Sequence, residues 1–191
     1  RLFMHLGGSR RRIADTNLRL CFPALDEAQH RALLVRTFES VGVSLLETAT
    51  AWFGRPERRY AGLRVEGLEA LEEARSGGHG VVLAGAHFAT LDLAGALFAL
   101  VTPLDAMYRP DGNELMEYFM QRGRLRRYGA VIARKDTRGA IRRLREGRVL
   151  WYAADQDFGP HHSVFAPFFG VPAATVTAGA SELPSVSASN N

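Results

Sequence analysis

Between Val81 and Ala153 short apolar runs alternate with stretches patterned for helices, and few architectures accommodate that rhythm. Val81–Ala86, Ala106–Tyr108, Val131–Ala133 and Arg148–Ala153 have the length and content of buried strands. The intervening segments, about 91 to 100, 114 to 127 and 137 to 146, have the length and spacing of helices. Strands separated by helices predict an α/β domain with a mostly parallel sheet flanked by helices, whose ligand site lies at the strand carboxyl ends. Residues 81 to 104 are apolar enough to suggest a membrane span, but His87 and Asp92 interrupt them. An aspartate at mid-bilayer costs roughly 2.5–3.5 kcal/mol, so a strand, a turn and a helix are expected there.

Upstream, Asp26 with Gln29 has the spacing of a capping box, and Leu34, Phe38, Val41, Leu45 and Trp52 recur at helical spacing. A long helix to about Phe53 follows, its stripe expected on the core, with a membrane surface as the alternative for an amphipathic face. An extended piece is expected at Leu63–Val65, then a helix through Leu68, Leu71 and Ala74 that stops at Ser76-Gly77-Gly78.

With 191 residues and 47% hydrophobic content, one domain with a sizeable core is expected. Residues 1–180 are assigned to it, incomplete at both ends, and the polar run 181–191 to a disordered or aberrant tail. The single Cys21 excludes an internal disulfide and reads as packing rather than as a nucleophile. Arg1–Leu6 is too short an apolar stretch for a signal peptide, and the sequence begins at Arg1 without a methionine, so a longer parent chain is expected. The chain holds 23 arginines and one lysine, with net charge +4. Guanidinium forks suit phosphorylated glycolipids, anionic membrane surfaces or an acidic protein partner. A coding bias would give the same ratio. No stacking array of aromatics accompanies the arginines, so nucleic acid is not expected as a partner.

Candidate site residues cluster after the strands. His87 follows the first, with Asp92 five residues on in the start of a helix, a spacing that suits a base and the carboxylate that orients it. The bland alternative is a loop histidine beside an acid favoured by the helix dipole. Arg109 in Tyr108-Arg109-Pro110, Arg134-Lys135-Asp136, and Asp155 and Asp157 in Asp155-Gln156-Asp157-Phe158-Gly159-Pro160 follow the other strands. Arg109 reads as ligand-binding, with a structural role as alternative. Arg134, Lys135 and Asp136 would grip a phosphate, or Asp136 would only cap the next helix. Asp155 and Asp157 read as ordering the loop or an arginine. With His161 and His162 they resemble a metal cluster only superficially, since adjacent histidine side chains diverge, and no metal is expected. No Gly-x-Gly-x-x-Gly or Gly-x-x-x-x-Gly-Lys stretch points to dinucleotide or P-loop chemistry. Arg122, Arg124, Arg126 and Arg127 suit the helix dipole at a carboxyl end, or dock an acidic protein through Arg124 and Arg127.

Taken in order with Asn17-Leu18, Phe38-Glu39-Ser40-Val41-Gly42 and Pro167-Phe168-Phe169-Gly170, these blocks closely resemble the bacterial lipid A biosynthesis acyltransferases, the late lauroyl and myristoyl transferases, over about residues 10–180. The resemblance implies a glycerol-phosphate-acyltransferase-like fold. It implies transfer of a fatty acyl chain from acyl carrier protein to a hydroxyl on the acyl chains of a lipid A precursor, at the cytoplasmic face of the inner membrane, without a cofactor. His87 would be the general base and Asp92 its partner, with Arg109, Arg134 or backbone N–H groups stabilising the oxyanion. The family's amino-terminal membrane helix and carboxyl-terminal part have no counterpart in the sequence. A related acyltransferase using a glycerophosphate or another lipid hydroxyl is the alternative, as is an inactive fragment that binds lipid.

Overall fold

The computed structural model describes residues 8–59, 62–157 and 163–176. The tail 181–191 and His161-His162 lie outside the described residues. Helix α1 (Gly8–Cys21) leads into the long α2 (Glu27–Phe53), whose start carries the expected capping box: the Asp26 side chain accepts from the Gln29 amide, and the Gln29 side chain accepts from that of Asp26. Arg19 on α1 pairs with Glu27 at 3.0 Å, tying the two helices at their junction. A short turn of helix, α3 (Pro56–Arg59), precedes α4 (Leu68–Arg75). Strand and helix then alternate: β1 (Val81–Gly85), α5 (Leu91–Phe98), β2 (Leu104–Tyr108), α6 (Glu114–Arg124), β3 (Ala130–Ala133), α7 (Thr137–Arg145) and β4 (Val149–Ala153). A two-stranded antiparallel hairpin, β5 (Ser163–Phe168) and β6 (Val171–Val176), follows.

The four strands β1 to β4 form one parallel sheet in the order β1-β4-β2-β3, with helices packed against it, which bears out the α/β reading. Alternation along each strand divides its side chains between two faces. Val82 and Leu150 pack with Ala140 and Leu144 of α7 on one face. Val81, Leu83, Val149 and Trp151 pack with Leu71 of α4 and Phe98 of α5 on the other. Leu150 and Val149 are completely buried, each worth about 1.5–3 kcal/mol of transfer free energy.

Asp105 sits in β2 at a position whose alternation faces α7, and its carboxylate is wholly buried. It is satisfied by Arg143 of α7 at 2.7 and 3.2 Å and by Arg148, just before β4, at 3.0 Å. Burial pushes the Asp105 carboxyl up, but the two guanidinia outweigh it and hold the group below the ordinary carboxylate value. One ion cluster therefore pins β2, α7 and the start of β4 at the amino-terminal edge of the sheet. Gly147 makes the tight turn from α7 into β4 in the left-handed region, at φ +73°.

Three expectations differ from the structure. Leu63–Val65 forms no strand and pairs with none of the described strands. The α2 stripe is core at Leu34, Phe38 and Ala51, whereas Val41 and Leu45 stay 42% and 49% exposed. The hairpin was not anticipated. Its two-residue turn uses Phe169 and Gly170, both at positive φ (50° and 77°), where Asn-Gly would be usual. Phe169 packs there against Phe22 at a tilt and edge-on to Phe168, with ring centroids 5.0 and 4.7 Å away. Among the described residues no helix is long and apolar enough to cross a membrane.

Candidate active site

Strand pairing assembles the site. Gly85 of β1 is in register with Ala153 of β4, so the chains leaving those strands emerge side by side, joined by the Ala154 amide donating to the Gly85 carbonyl at 3.2 Å. Two residues beyond the register pair stand His87 on one chain and Asp155 on the other. The Asp155 carboxylate lies 2.7 Å from His87 Nδ1 and accepts the His87 backbone N–H at 2.6 Å. Burial pushes the Asp155 carboxyl up, but the His87 amide and ring together bring it below the usual carboxylate range. An ionised carboxylate only accepts, so Nδ1 carries the proton, and in the neutral ring Nε2 presents its lone pair. The Gln156 amide nitrogen stands 3.3 Å from Nε2, where a donor to that lone pair belongs. The imidazole meets the Trp151 ring edge-on at 5.8 Å, and a Cβ at Gly85 would collide with that indole, so glycine there is what lets the ring pack under His87.

A second register pair brings two arginines together. Tyr108 of β2 aligns with Ala133 of β3, and the Arg134 amide donates to the Tyr108 carbonyl at 2.8 Å, so Arg109 and Arg134 leave adjacent strands next to each other. The loop carrying Arg109 is fixed by Glu117 of α6, which accepts from the Tyr108 hydroxyl at 2.5 Å and from the Asp111 amide at 2.8 Å. The Tyr108 hydroxyl bond, followed by the Asp111 amide, lowers the Glu117 carboxyl.

Between the sheet, α2 and α5 lies a cleft of about 800 Å³. Its wall is largely apolar, with Leu63, Val65, Leu91, Leu97, Phe98 and Met107, and its mouth carries His87, Arg109 and Arg134. Clefts of this size and character hold small ligands or aliphatic chains. Leu63–Val65, expected as a strand, lines this cleft instead.

Asp92 also lines the cleft, but its partners correct the expected pairing with His87. Its carboxylate accepts from Arg124 Nε and Nη2 at 2.8 and 3.2 Å and from Trp52 Nε1 at 3.1 Å. The reason is geometric: in the first turn of α5 the side chain faces α2 and α6, while the chain leaving β4 delivers a carboxylate directly beside the imidazole. Tyr128, next to this pair, is pushed up to about 12, first by burial and then by the Asp92 charge. A Cβ at Gly95 would collide with the Tyr128 hydroxyl, so that glycine admits the ring.

The remaining candidates separate from the cleft wall. Asp136 is the cap of α7, accepting from the Gly139 amide at 2.8 Å, and Lys135 is exposed in the turn before it. Asp157 accepts from Ser163 at 3.1 Å, joining the loop after β4 to the start of β5. Arg127, expected to help dock a protein partner, is spent on the α2 terminus: it donates to the Ala51 and Gly54 carbonyls at 3.2 and 2.8 Å. Arg124 is equally engaged, by Asp92. Among the described residues no group of three His, Cys, Asp or Glu side chains stands together as a metal site.

Trp52, Arg124, Tyr128, Trp151, Gln156 and Glu47 join the site without having been assigned to it from sequence. Glu47 of α2 lines the cleft with Oε2 buried and unpartnered. Arg124, the last residue of α6 and one of four arginines between residues 122 and 127, carried a signal, and that signal pointed outward.

The sequence matches a known family. The family model described as bacterial lipid A biosynthesis acyltransferase matches residues 1–189. The chain is similar to the lipid A biosynthesis lauroyltransferase of Escherichia coli K12, 42% identical over 171 residues, 89% of this chain and 56% of that protein. It is similar to the palmitoleoyltransferase of the same organism, 41% identical over 170 residues, 89% of this chain and 56% of the relative. A lipid A biosynthesis acyltransferase of Haemophilus influenzae is 41% identical over 180 residues, covering 93% of this chain and 57% of its own length. The chain thus spans little more than half the length of these relatives. It belongs to the bacterial lipid A biosynthesis acyltransferase family.

Proposed function

We propose that the protein transfers a fatty acyl chain from an acyl carrier protein thioester to a hydroxyl on the acyl chains of a lipid A precursor, with His87 as general base. The observation that carries this reading is the imidazole at the mouth of an apolar cleft, its Nδ1 held by Asp155 and its Nε2 turned toward an exchangeable polar neighbour. The acceptor hydroxyl takes the place of the Gln156 amide and gives its proton to Nε2 as its oxygen attacks the thioester carbonyl. Asp155 stabilises the imidazolium that results, without itself taking the proton. The tetrahedral intermediate then collapses, the carbon–sulfur bond breaks, and the imidazolium returns the proton to the departing thiolate. Negative charge on the intermediate needs donors, and Arg109 and Arg134 are the cations at the mouth. One preorganised donor of this kind is worth about 2.7–4 kcal/mol. The apolar wall behind His87 suits the aliphatic chains of donor and acceptor.

The reading extends to the bilayer that holds the acceptor, the cytoplasmic face of the inner membrane. Supporting it, Leu46 and Phe53 of α2 and Leu115, Met116 and Tyr118 of α6 are exposed near the cleft, bridged by the Phe53–Phe119 contact at 6.0 Å. A patch of exposed apolar and aromatic side chains suits the lipid interface.

The test is transfer by the full-length parent from acyl carrier thioester to a lipid A precursor, compared with a glycerophosphate acceptor. His87→Ala is expected to lower kcat by roughly 10²–10⁴-fold while precursor binding persists. Equal turnover by the wild type and the folded variant defeats the reading, and transfer to the glycerophosphate alone replaces the acceptor.

A further inference from the structure

Helix α7 carries a row of cations that neither the fold nor the cleft uses. Arg138, Arg142 and Arg145 follow at intervals of four and three residues, which places them on one face of the helix, and all three are exposed. Among the described residues none of the three side chains has an ion-pair or hydrogen-bond partner. Several other arginines are neutralised locally: Arg19 by Glu27, Arg124 by Asp92, and Arg143, on another face of the same helix, and Arg148 by Asp105. Exposed Lys135 extends the row toward Arg134 at the cleft mouth.

Helix stability does not account for this row. Cations favour the carboxyl end of a helix, which rationalises Arg142 and Arg145, but Lys135 and Arg138 sit at the amino end, where the dipole opposes them. Like charges four residues apart weaken the helix further. Nor does the row suit a bilayer. Lipid-facing helices set apolar groups beside their basic ones, whereas no large apolar residue is exposed between residues 126 and 157. The apolar patch lies on α2 and α6 instead.

We infer that the exposed face of α7 docks an acidic protein surface, and that this protein is the carrier of the acyl donor. The inference rests on the reading above for the donor's identity. Three guanidinia along two turns match acidic side chains at the same spacing on a partner helix, and Lys135 leads from the docked carrier to Arg134, where the thioester would enter the cleft. Complementary charge of this kind sets encounter rate and register and is sensitive to salt.

The test uses the full-length parent and an unacylated acidic carrier protein bearing its phosphopantetheine. Arg138→Glu, Arg142→Glu and Arg145→Glu together are expected to weaken carrier binding roughly tenfold or more at low ionic strength, and to remove most of its salt dependence. KM for the carrier-linked donor should rise by the same factor with kcat unchanged, while KM for the same acyl chain on a free pantetheine thioester stays put. Unchanged carrier binding by the folded variant overturns the inference, as does an equal loss with both donors. Intact carrier binding with lost sedimentation on anionic vesicles assigns the face to lipid and also overturns it. If the triple variant does not fold, Arg138→Gln and Arg142→Gln carry the same readout at roughly twofold each. Binding is measured without turnover, so a wild type that binds carrier but transfers nothing defeats the acceptor reading and leaves the docking face standing.

Discussion

The two edges of the sheet each hold a carboxylate beside cationic or protonatable nitrogen, and they put that chemistry to opposite uses. At the amino-terminal edge Asp105 is fully buried and takes every contact it can from Arg143 and Arg148. Nothing there remains to react. At the carboxyl-terminal edge Asp155 binds the backbone N–H and only one ring nitrogen of His87, and both side chains keep roughly two-fifths of their surface, 36% and 41%. The unpaired valence is the difference: an ion cluster that satisfies all its members holds strands together, while one that leaves a lone pair facing a cleft can move a proton. A guanidinium cannot play the second part, because it never releases its proton at ordinary pH.

That contrast breaks most sharply at Asp155. Asp155→Asn removes the acceptor that fixes the imidazole tautomer, and kcat is expected to fall by roughly 10²-fold or more. Thermal stability should change little, because the pair is half exposed and such pairs contribute about 0–1 kcal/mol. A variant that unfolds instead, or keeps full turnover, would make the two edges alike. The mirror experiment is Asp105→Asn. It strands two arginines that retain 26% and 23% of their side-chain surface, so the expected loss is about 3 kcal/mol, the low end for breaking a buried pair. Chemical denaturation measures it, with kcat per folded molecule unchanged.

Asp92 sharpens the comparison because it belongs to neither edge. Bound twice by Arg124 and once by Trp52, it joins α5, α6 and α2 behind the cleft. Asp92→Asn should cost about 1.5–3 kcal/mol, the scale of a lost charge-assisted hydrogen bond. Any effect on turnover should travel through Arg124. Double-mutant cycles check this: Asp92→Asn should be non-additive with Arg124→Met and additive with Asp155→Asn. The reverse pattern would return Asp92 to His87.

These two aspartates also show what the sequence could and could not disclose. Strand and helix spacing marked every element from β1 to β4 within a few residues, and it placed His87, Arg109, Arg134 and Asp155 after strands, because a buried parallel strand and its crossover helix each leave a local pattern. Strand order leaves none. Only the insertion of β4 between β1 and β2 makes Asp155 a neighbour of His87, and that adjacency is a property of the sheet, not of spacing along the chain. Asp92 was close in sequence and was therefore expected at the imidazole, but its position in α5 turns it toward Arg124. Likewise the hairpin was hidden because Phe169 occupies a left-handed position where glycine or asparagine is the usual signal, and its contacts with Phe22 and Phe168 come from the tertiary fold. Arg127 shows the same limit for surface charge, since a basic helix end reads as a docking patch until the carbonyls of α2 are seen to occupy it.

The smallest expected effect is on acid stability, and it tests whether the edges differ in more than geometry. Both carboxyls titrate below their ordinary value, so for each the folded state binds the proton less readily than the unfolded chain. Their stabilisation is therefore complete above the unfolded carboxylate pKa, about 3.9, and lost as pH falls through the lower folded value. The stability gap between wild type and Asp105→Asn should accordingly narrow from about pH 4 downward. For Asp155→Asn the same narrowing should be present but below about 1 kcal/mol throughout, because water screens a pair this exposed. Denaturant midpoints measured from pH 7 to pH 2 resolve the two. A gap for Asp155→Asn as large as that for Asp105→Asn would mean that the His87 pair serves the fold as the buried cluster does, and that its exposure confers no chemical freedom.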